Sequence, residues 1–118
     1  MPQTFEAAFN TGDIDQVVAL YEPDCVLVPT PGQTVRGTAA IRESLQGFLA
    51  VRGQIKVQSR RVLVNGEVAL VNSHWELAGT GADGAPLTLS GDTSEVIRRQ
   101  ADGSWRYAID DPFSTPTG

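Results

Sequence analysis

The stretch FNTGDIDQVVALYEPD, Phe9 to Asp24, decides how the chain is read. Gly12 interrupts what is otherwise one helical pattern. Glycine takes the left-handed backbone that closes a helix without steric cost, so it ends a first helix running from about Thr4 to Thr11. Asp13 then serves as the N-cap of a second helix, with Gln16 three residues on to complete a capping box. Val17, Val18, Leu20 and Tyr21 give this second helix an apolar face, and Pro23 stops it. The chain therefore opens with a corner between two helices, a shape suited to closing over something.

Downstream, Cys25-Val26-Leu27-Val28 has the character of a short strand. It ends at Pro29-Thr30-Pro31-Gly32, because proline cannot donate to a ladder. Gly37-Thr38 opens a third helix with Ile41, Leu45, Phe48 and Leu49 on one side, and Gly53 ends it. From there the apolar period becomes two. Strands are expected over Gln54–Val64, Glu67–Ala78, Leu87–Gln100 and Ser104–Asp111. They are joined at Asn65-Gly66, Gly81-Ala82-Asp83-Gly84 and Ala101-Asp102-Gly103. Helices first and an antiparallel meander last give an α+β class, with the helices on one face of a curved sheet. No repeat or linker divides the chain, so residues 1–118 are expected to form one domain.

Composition narrows the function classes. With 41% hydrophobic residues the chain can bury a real core. A net charge of −5 disfavours nucleic acid and anionic membrane surfaces as partners. Arg60-Arg61 and Arg98-Arg99 are the only basic pairs, and neighbours on a strand point to opposite faces. No apolar run is long enough to cross a bilayer and no secretory signal is visible, so a cytoplasmic location is expected. One cysteine and one histidine leave no material for an internal disulfide or a structural zinc site. No cofactor is expected either, since a Gly-rich phosphate loop, a G-x-S-x-G elbow and a His-x-x-x-His pair are all missing.

Three segments, AFNTGDIDQVVALYEPDCVLVPTPG, VRGTAAIRESL and GDTSEVIRRQADGSWRYAIDDPF, resemble the nuclear-transport-factor-2-like superfamily. The similarity is greatest to its SnoaL-like and ketosteroid-isomerase-like branches and covers nearly the whole chain. It implies a cone of curved antiparallel sheet whose mouth is capped by the N-terminal helices, so the corner at Gly12 closes a pocket. The superfamily hosts isomerases, cyclases, epoxide hydrolases, dehydratases and binding modules, so the fold alone does not select a function. Ketosteroid isomerisation needs a carboxylate base, a tyrosine and a protonated aspartic acid. Matched position by position, the tyrosine is replaced by Phe5 and the base by Pro29, while the protonated acid falls near Ser94, with Asp92 two residues away. The resemblance thus implies a scaffold without the isomerase groups, and no ketosteroid turnover.

Other residues keep chemistry open. His74 titrates near neutral pH and is a candidate general base; the bland alternative is a half-buried strand residue. Asp92 would have a raised pKa if it faced an apolar cavity and an ordinary one if it faced water. At the end of the last strand, Asp110-Asp111 can offer only one side chain to the interior. The resemblance points to Asp110, against the local alternative of an Asp-Pro turn. Tyr21, Trp75, Tyr107 and Phe113 are candidate ligand-lining aromatics, although aromatics at strand spacing more often fill a core. Trp105 has the look of sheet core, and Cys25 of a small buried hydrophobe. Asp92, Arg98 and Asp110 would imitate the Asp-Arg-Asp set of the epoxide hydrolases only if the strands brought them together.

Two functions from different classes follow. One is a binding module holding a small apolar or amphipathic organic molecule. The other is a cofactor-independent enzyme of isomerase, cyclase or hydrolase type, using His74, Asp92 or Asp110 as acid or base. A dimerising accessory domain is a third. A homodimer through the open sheet face is expected in any case, with members of the Val62/Val64 and Val71/Leu77 sets exposed there.

Overall fold

The computed structural model describes residues 2–113 apart from 52 and 82. In chain order the elements are α1 (Pro2–Asn10), α2 (Ile14–Val18), β1 (Tyr21–Thr30), β2 (Gln33–Arg36), α3 (Thr38–Leu49), β3 (Gln54–Asn65), β4 (Val68–Thr80), β5 (Pro86–Asp92), β6 (Ser94–Arg99) and β7 (Trp105–Asp111). The corner between α1 and α2 is as expected: Gly12 stands at φ +78°. The cap differs in detail. The Asp13 carboxylate accepts from the Asp15 N–H at 3.0 Å, and Gln16 contributes only a side-chain bond back to Asp13 at 3.4 Å.

α2 is shorter than the sequence suggests. Tyr21 opens β1, and Pro23 lies inside that strand with its neighbours exposed, where no ladder donor is needed. β2 was not anticipated; its four residues pair with β1 beyond the Pro31-Gly32 turn. The expected strand Leu87–Gln100 is two collinear pieces, β5 and β6, broken at Thr93. β5 pairs with the C-terminal half of β4 and β6 with its N-terminal half. The turn at Gly84, whose N–H donates to the Gly81 carbonyl at 3.0 Å, has its expected residue Ala82 outside the described residues.

The seven strands form one open curved sheet in the order β2-β1-β7-β6-β4-β3, with β5 also on β4. Every neighbouring pair is antiparallel except β1 and β7, which run parallel. That exception is geometrically cheap, because most of the chain lies between the two strands and can make the return. Two bulges bend the sheet. In β3 the register slips at Arg60 between Ser59 and Arg61, and in β7 one extra residue, Ala108, sits between Tyr107 and Ile109. The helices lie on the concave face, where Phe9, Val17, Ile41 and Leu45 meet Leu27, Val71, Leu77 and Tyr107 in one core. Each such side chain, fully buried, contributes about 1.5–3 kcal/mol of transfer free energy.

Strand alternation sorts residues cleanly between the two faces. Val71 and Leu77, expected on the open face, are 1% and 0% exposed and belong to the concave core. Val62 and Val64 are exposed, but they stand opposite Val71 and Ala69, on the end of β3 that runs past the helices. The convex face carries a different apolar row: Leu63, Leu70, Val96, Ile109 and Val26 are successive partners across five strands.

Candidate functional site

The concave face holds an apolar cavity walled by Phe5, Phe9, Leu45, Phe48, Trp75 and Leu77. Phe5 and Phe9 of α1 line it on the helical side, and residues of β1, β3, β4, β6 and β7 on the sheet side. At its floor are the polar lining side chains Tyr21, Thr93, Glu95, Tyr107 and Asp110. Two cross-sheet rows put them there. Val71, Glu95, Asp110 and Leu27 are successive partners, as are Ala69, Ile97, Tyr107 and Tyr21. Two carboxyls therefore face each other across the β6–β7 ladder with aliphatic residues on either side.

The network is tight. The Tyr21 hydroxyl donates to Asp110 Oδ2 at 2.6 Å. The Thr93 hydroxyl donates to Glu95 Oε1 at 2.9 Å while accepting from the Ser73 N–H at 2.9 Å. Glu95 also hydrogen-bonds to Tyr107 and to Asp110. Burial pushes both carboxyls up, because little water remains to solvate the charge. Asp110 is raised to about 6, held back from a larger shift by the bonds from Tyr21 and Glu95. Glu95 is raised to about 8, first by burial and then by the charge of Asp110. The two carboxyls titrate as a coupled pair, with burial raising both and so disfavouring two charges at once. Burial raises both tyrosines as well, so their hydroxyls stay protonated.

Of the sequence candidates, Asp110 faces the cavity at 5% exposure, and its neighbour Asp111 turns toward the surface, where it caps the Phe113 N–H at 3.1 Å. Tyr21, Trp75 and Tyr107 line the cavity. Phe113 stands behind that wall, edge-on to Trp75 with ring centroids 5.8 Å apart. The Trp75 indole N–H is tied to the Pro112 carbonyl at 2.8 Å, and Gly91 makes room for this: a Cβ there would lie 2.5 Å from the same oxygen.

His74 and Asp92 are placed elsewhere. His74 alternates with the inward Ser73 and Trp75, and so points to the convex side. There its Nδ1 meets Asp92 Oδ1 at 2.9 Å and its Nε2 meets Glu76 Oε1 at 3.4 Å. The hydrogen bond with Asp92 raises the His74 pKa. Neither residue lines the cavity, so the expectation of an acid or base there from His74 or Asp92 is corrected. Arg98 likewise sits outside, against Glu22 at 3.3 Å, and completes no Asp-Arg-Asp set. Cys25 is fully buried with its thiol pushed up to about 12 by burial, in keeping with an inert packing role. Among the described residues no group of three His, Cys, Asp or Glu is arranged to hold a metal.

Glu95 is the residue that sequence reasoning missed. Counting outward from the Ala101–Gly103 turn, Arg99 opposes Trp105 and Ile97 opposes Tyr107, which would set Ser94 near Asp110. The bulge at Ala108 advances the register by one and brings Glu95 opposite Asp110 instead. The signal available in the sequence was parity: Thr93, Glu95 and Ile97 share a face, but the adjacent Val96 and Ile97 leave that face ambiguous.

Comparison with known proteins fits this architecture. A ketosteroid isomerase-like protein from Erwinia carotovora atroseptica superposes with a TM-score of 0.80 at 25% identity, covering 97% of this chain and 91% of its own. A nuclear-transport-factor-2-like protein from Streptomyces avermitilis, named as a dehydratase, gives 0.76 at 19% identity over 96% and 91% of the two chains. A protein from Novosphingobium aromaticivorans, named as an aromatic ring hydroxylase, gives 0.74 at 23% identity over 97% and 84%. No protein of curated function matches. The model of the SnoaL-like domain matches residues 3–108, and on that match the chain belongs to the SnoaL-like domain family, among the nuclear-transport-factor-2-like and ketosteroid-isomerase-like folds.

Proposed function

We propose that this chain is a cofactor-independent acid–base enzyme of isomerase, cyclase or hydrolase type, acting on a small, largely apolar molecule. One observation carries the proposal: two buried carboxyls, Asp110 and Glu95, stand opposite each other at the floor of an aromatic cavity, where burial raises both pKa values. Pairs of titratable groups whose surroundings separate their pKa values are what proton-transfer sites require. Asp110, ionised at neutral pH, accepts a proton from the substrate. Glu95, still protonated, returns one to the position where charge develops. Tyr21 stays bonded to Asp110 and fixes its orientation.

The test is deuterium uptake from D2O into a panel of small cyclic hydroxy ketones and amino ketones, followed by mass spectrometry. Exchange well above the buffer rate, with a bell-shaped pH dependence between about 6 and about 8, is expected. No exchange on any member, with tight binding retained, would favour the plain binding module, whose support is the apolar wall. Ketosteroid isomerisation is not expected, since Phe5 lines the cavity without a hydroxyl and Pro29 supplies no base. For assembly, we expect two copies to pair through the convex row, in which Leu63, Leu70 and Ile109 are 48%, 38% and 45% exposed. Light scattering at micromolar concentration, with Leu70→Arg as the disrupting variant, checks this.

A further inference from the structure

The hydrogen-bond inventory of the cavity floor is lopsided. Among the described residues four lining side chains other than the carboxyls can donate, and all four are committed within the protein. Tyr21 donates to Asp110 and Thr93 to Glu95. Trp75 donates to the Pro112 carbonyl, and Tyr107 is bonded to Glu95. The proton held by the carboxyl pair lies between its two members. Ser73 has the one buried side-chain oxygen without a partner among the described residues, and it does not line the cavity. Acceptors are in surplus: two carboxyl groups offer about eight lone-pair positions, and the bonds above fill roughly half of them. Among the described residues no Lys, Arg or His lines the cavity, while Phe5, Phe9, Phe48 and Trp75 do.

Resting on the acid–base reading of this same site, we infer that the ligand carries a hydrogen-bond-donating head, an amine in its protonated form, on an apolar body. An ammonium fills the vacant acceptor positions on Asp110 and Glu95, neutralises the single negative charge, and packs against aromatic faces that attract cations. A carbonyl or ether oxygen of the same skeleton finds no side-chain donor that is not already engaged. A carboxylate or phosphate ligand adds a second negative charge to a desolvated one. Alcohols lie between, since they donate but carry no charge.

A matched series tests this on the intact protein: 1-aminoindane, 1-indanol, 1-indanone and indane-1-carboxylate, titrated by calorimetry at pH 7 in phosphate and in Tris. The expected ranking is amine, then alcohol, then ketone, with the amine at least about tenfold tighter than the ketone, a difference of about 1.4 kcal/mol. Asp110→Asn should abolish the amine preference. Tyr21→Phe, which vacates one more acceptor position on Asp110, should keep it, and serves if the first variant does not fold. Ketone or carboxylate binding as tightly as the amine, or no amine binding at millimolar concentration, overturns the inference. These titrations need no turnover. A protein that ranks the series as expected but exchanges no deuterium keeps this specificity and loses the enzymatic reading. One that exchanges deuterium but prefers the ketone does the reverse.

Discussion

The two faces of the sheet carry the same chemical groups to opposite ends. On the concave face, Asp110 and Glu95 sit among aromatic and aliphatic side chains, and desolvation lifts both pKa values. On the convex face, Asp92 and Glu76 flank His74 with water at hand. Burial penalises the charge of the concave pair, whereas the hydrogen bond with Asp92 raises the pKa of the imidazole. Asp110 and Asp111 make the contrast within one dipeptide, because strand alternation alone decides which is buried. Side-chain identity is therefore a weak guide to role in this fold, and the facing direction is a strong one.

The sharpest way to break the comparison is to exchange its members. Asp110→Asn should lower proton exchange by about 10²–10⁴-fold, the usual worth of a positioned base. Asp111→Asn should leave it within about twofold, as for other surface changes. Equal losses would remove the distinction between faces. Next comes the dependence of stability on pH. Burial raises the Glu95 pKa from an ordinary 4.5 to about 8, so the folded state binds more protons between those values. Stability should therefore be greatest near pH 5 and fall as the pH rises to 8, by on the order of 2–4 kcal/mol. Glu95→Gln should flatten that slope in urea melts at pH 5 and pH 8.

A smaller effect is expected of Tyr21→Phe. Losing its bond to Asp110 should cost about 1–1.5 kcal/mol in a denaturant titration. The same bond lowers the Asp110 pKa, so the acidic limb of the pH–rate profile should move upward in the variant. The smallest effect belongs to the convex face. His74→Ala should change stability by less than about 1 kcal/mol and leave exchange unaltered, as for other solvent-accessible ion pairs. A large loss of exchange in that variant would carry the chemistry to the wrong side of the sheet.

Much of this could be seen in the sequence, and what could not has a physical cause. The corner at Gly12, the hairpin at Asn65-Gly66, the third helix and the late strands are local features written by glycine, proline and periodicity. The inward direction of Asp110 was implied by the family resemblance, and Tyr21, Trp75 and Tyr107 were among the candidate lining aromatics, whereas Phe5, Phe9 and Phe48 were not. Strand β2 escaped because Gln33-Thr34-Val35-Arg36 is short and almost all exposed, with no apolar pattern. His74 and Asp92 were misplaced because parity cannot be fixed without knowing which face the helices cover. Glu95 escaped because one bulged residue, Ala108, resets a register that counting from the turn would have missed.

The bond from Tyr21 to Asp110 spans 89 positions of chain, and it lies beside the one parallel pairing in the sheet. That has a consequence for folding kinetics. Contacts of such separation form after the local hairpins, since loop closure must be met before they give anything back. The β3–β4 hairpin can collapse early, but the carboxyl pair has no tyrosine partner until β7 docks between β6 and β1. A nascent chain in which β7 has not yet emerged lacks both Asp110 and Tyr107. Recovery of function on refolding should thus coincide with the final kinetic phase, while helical circular dichroism returns sooner.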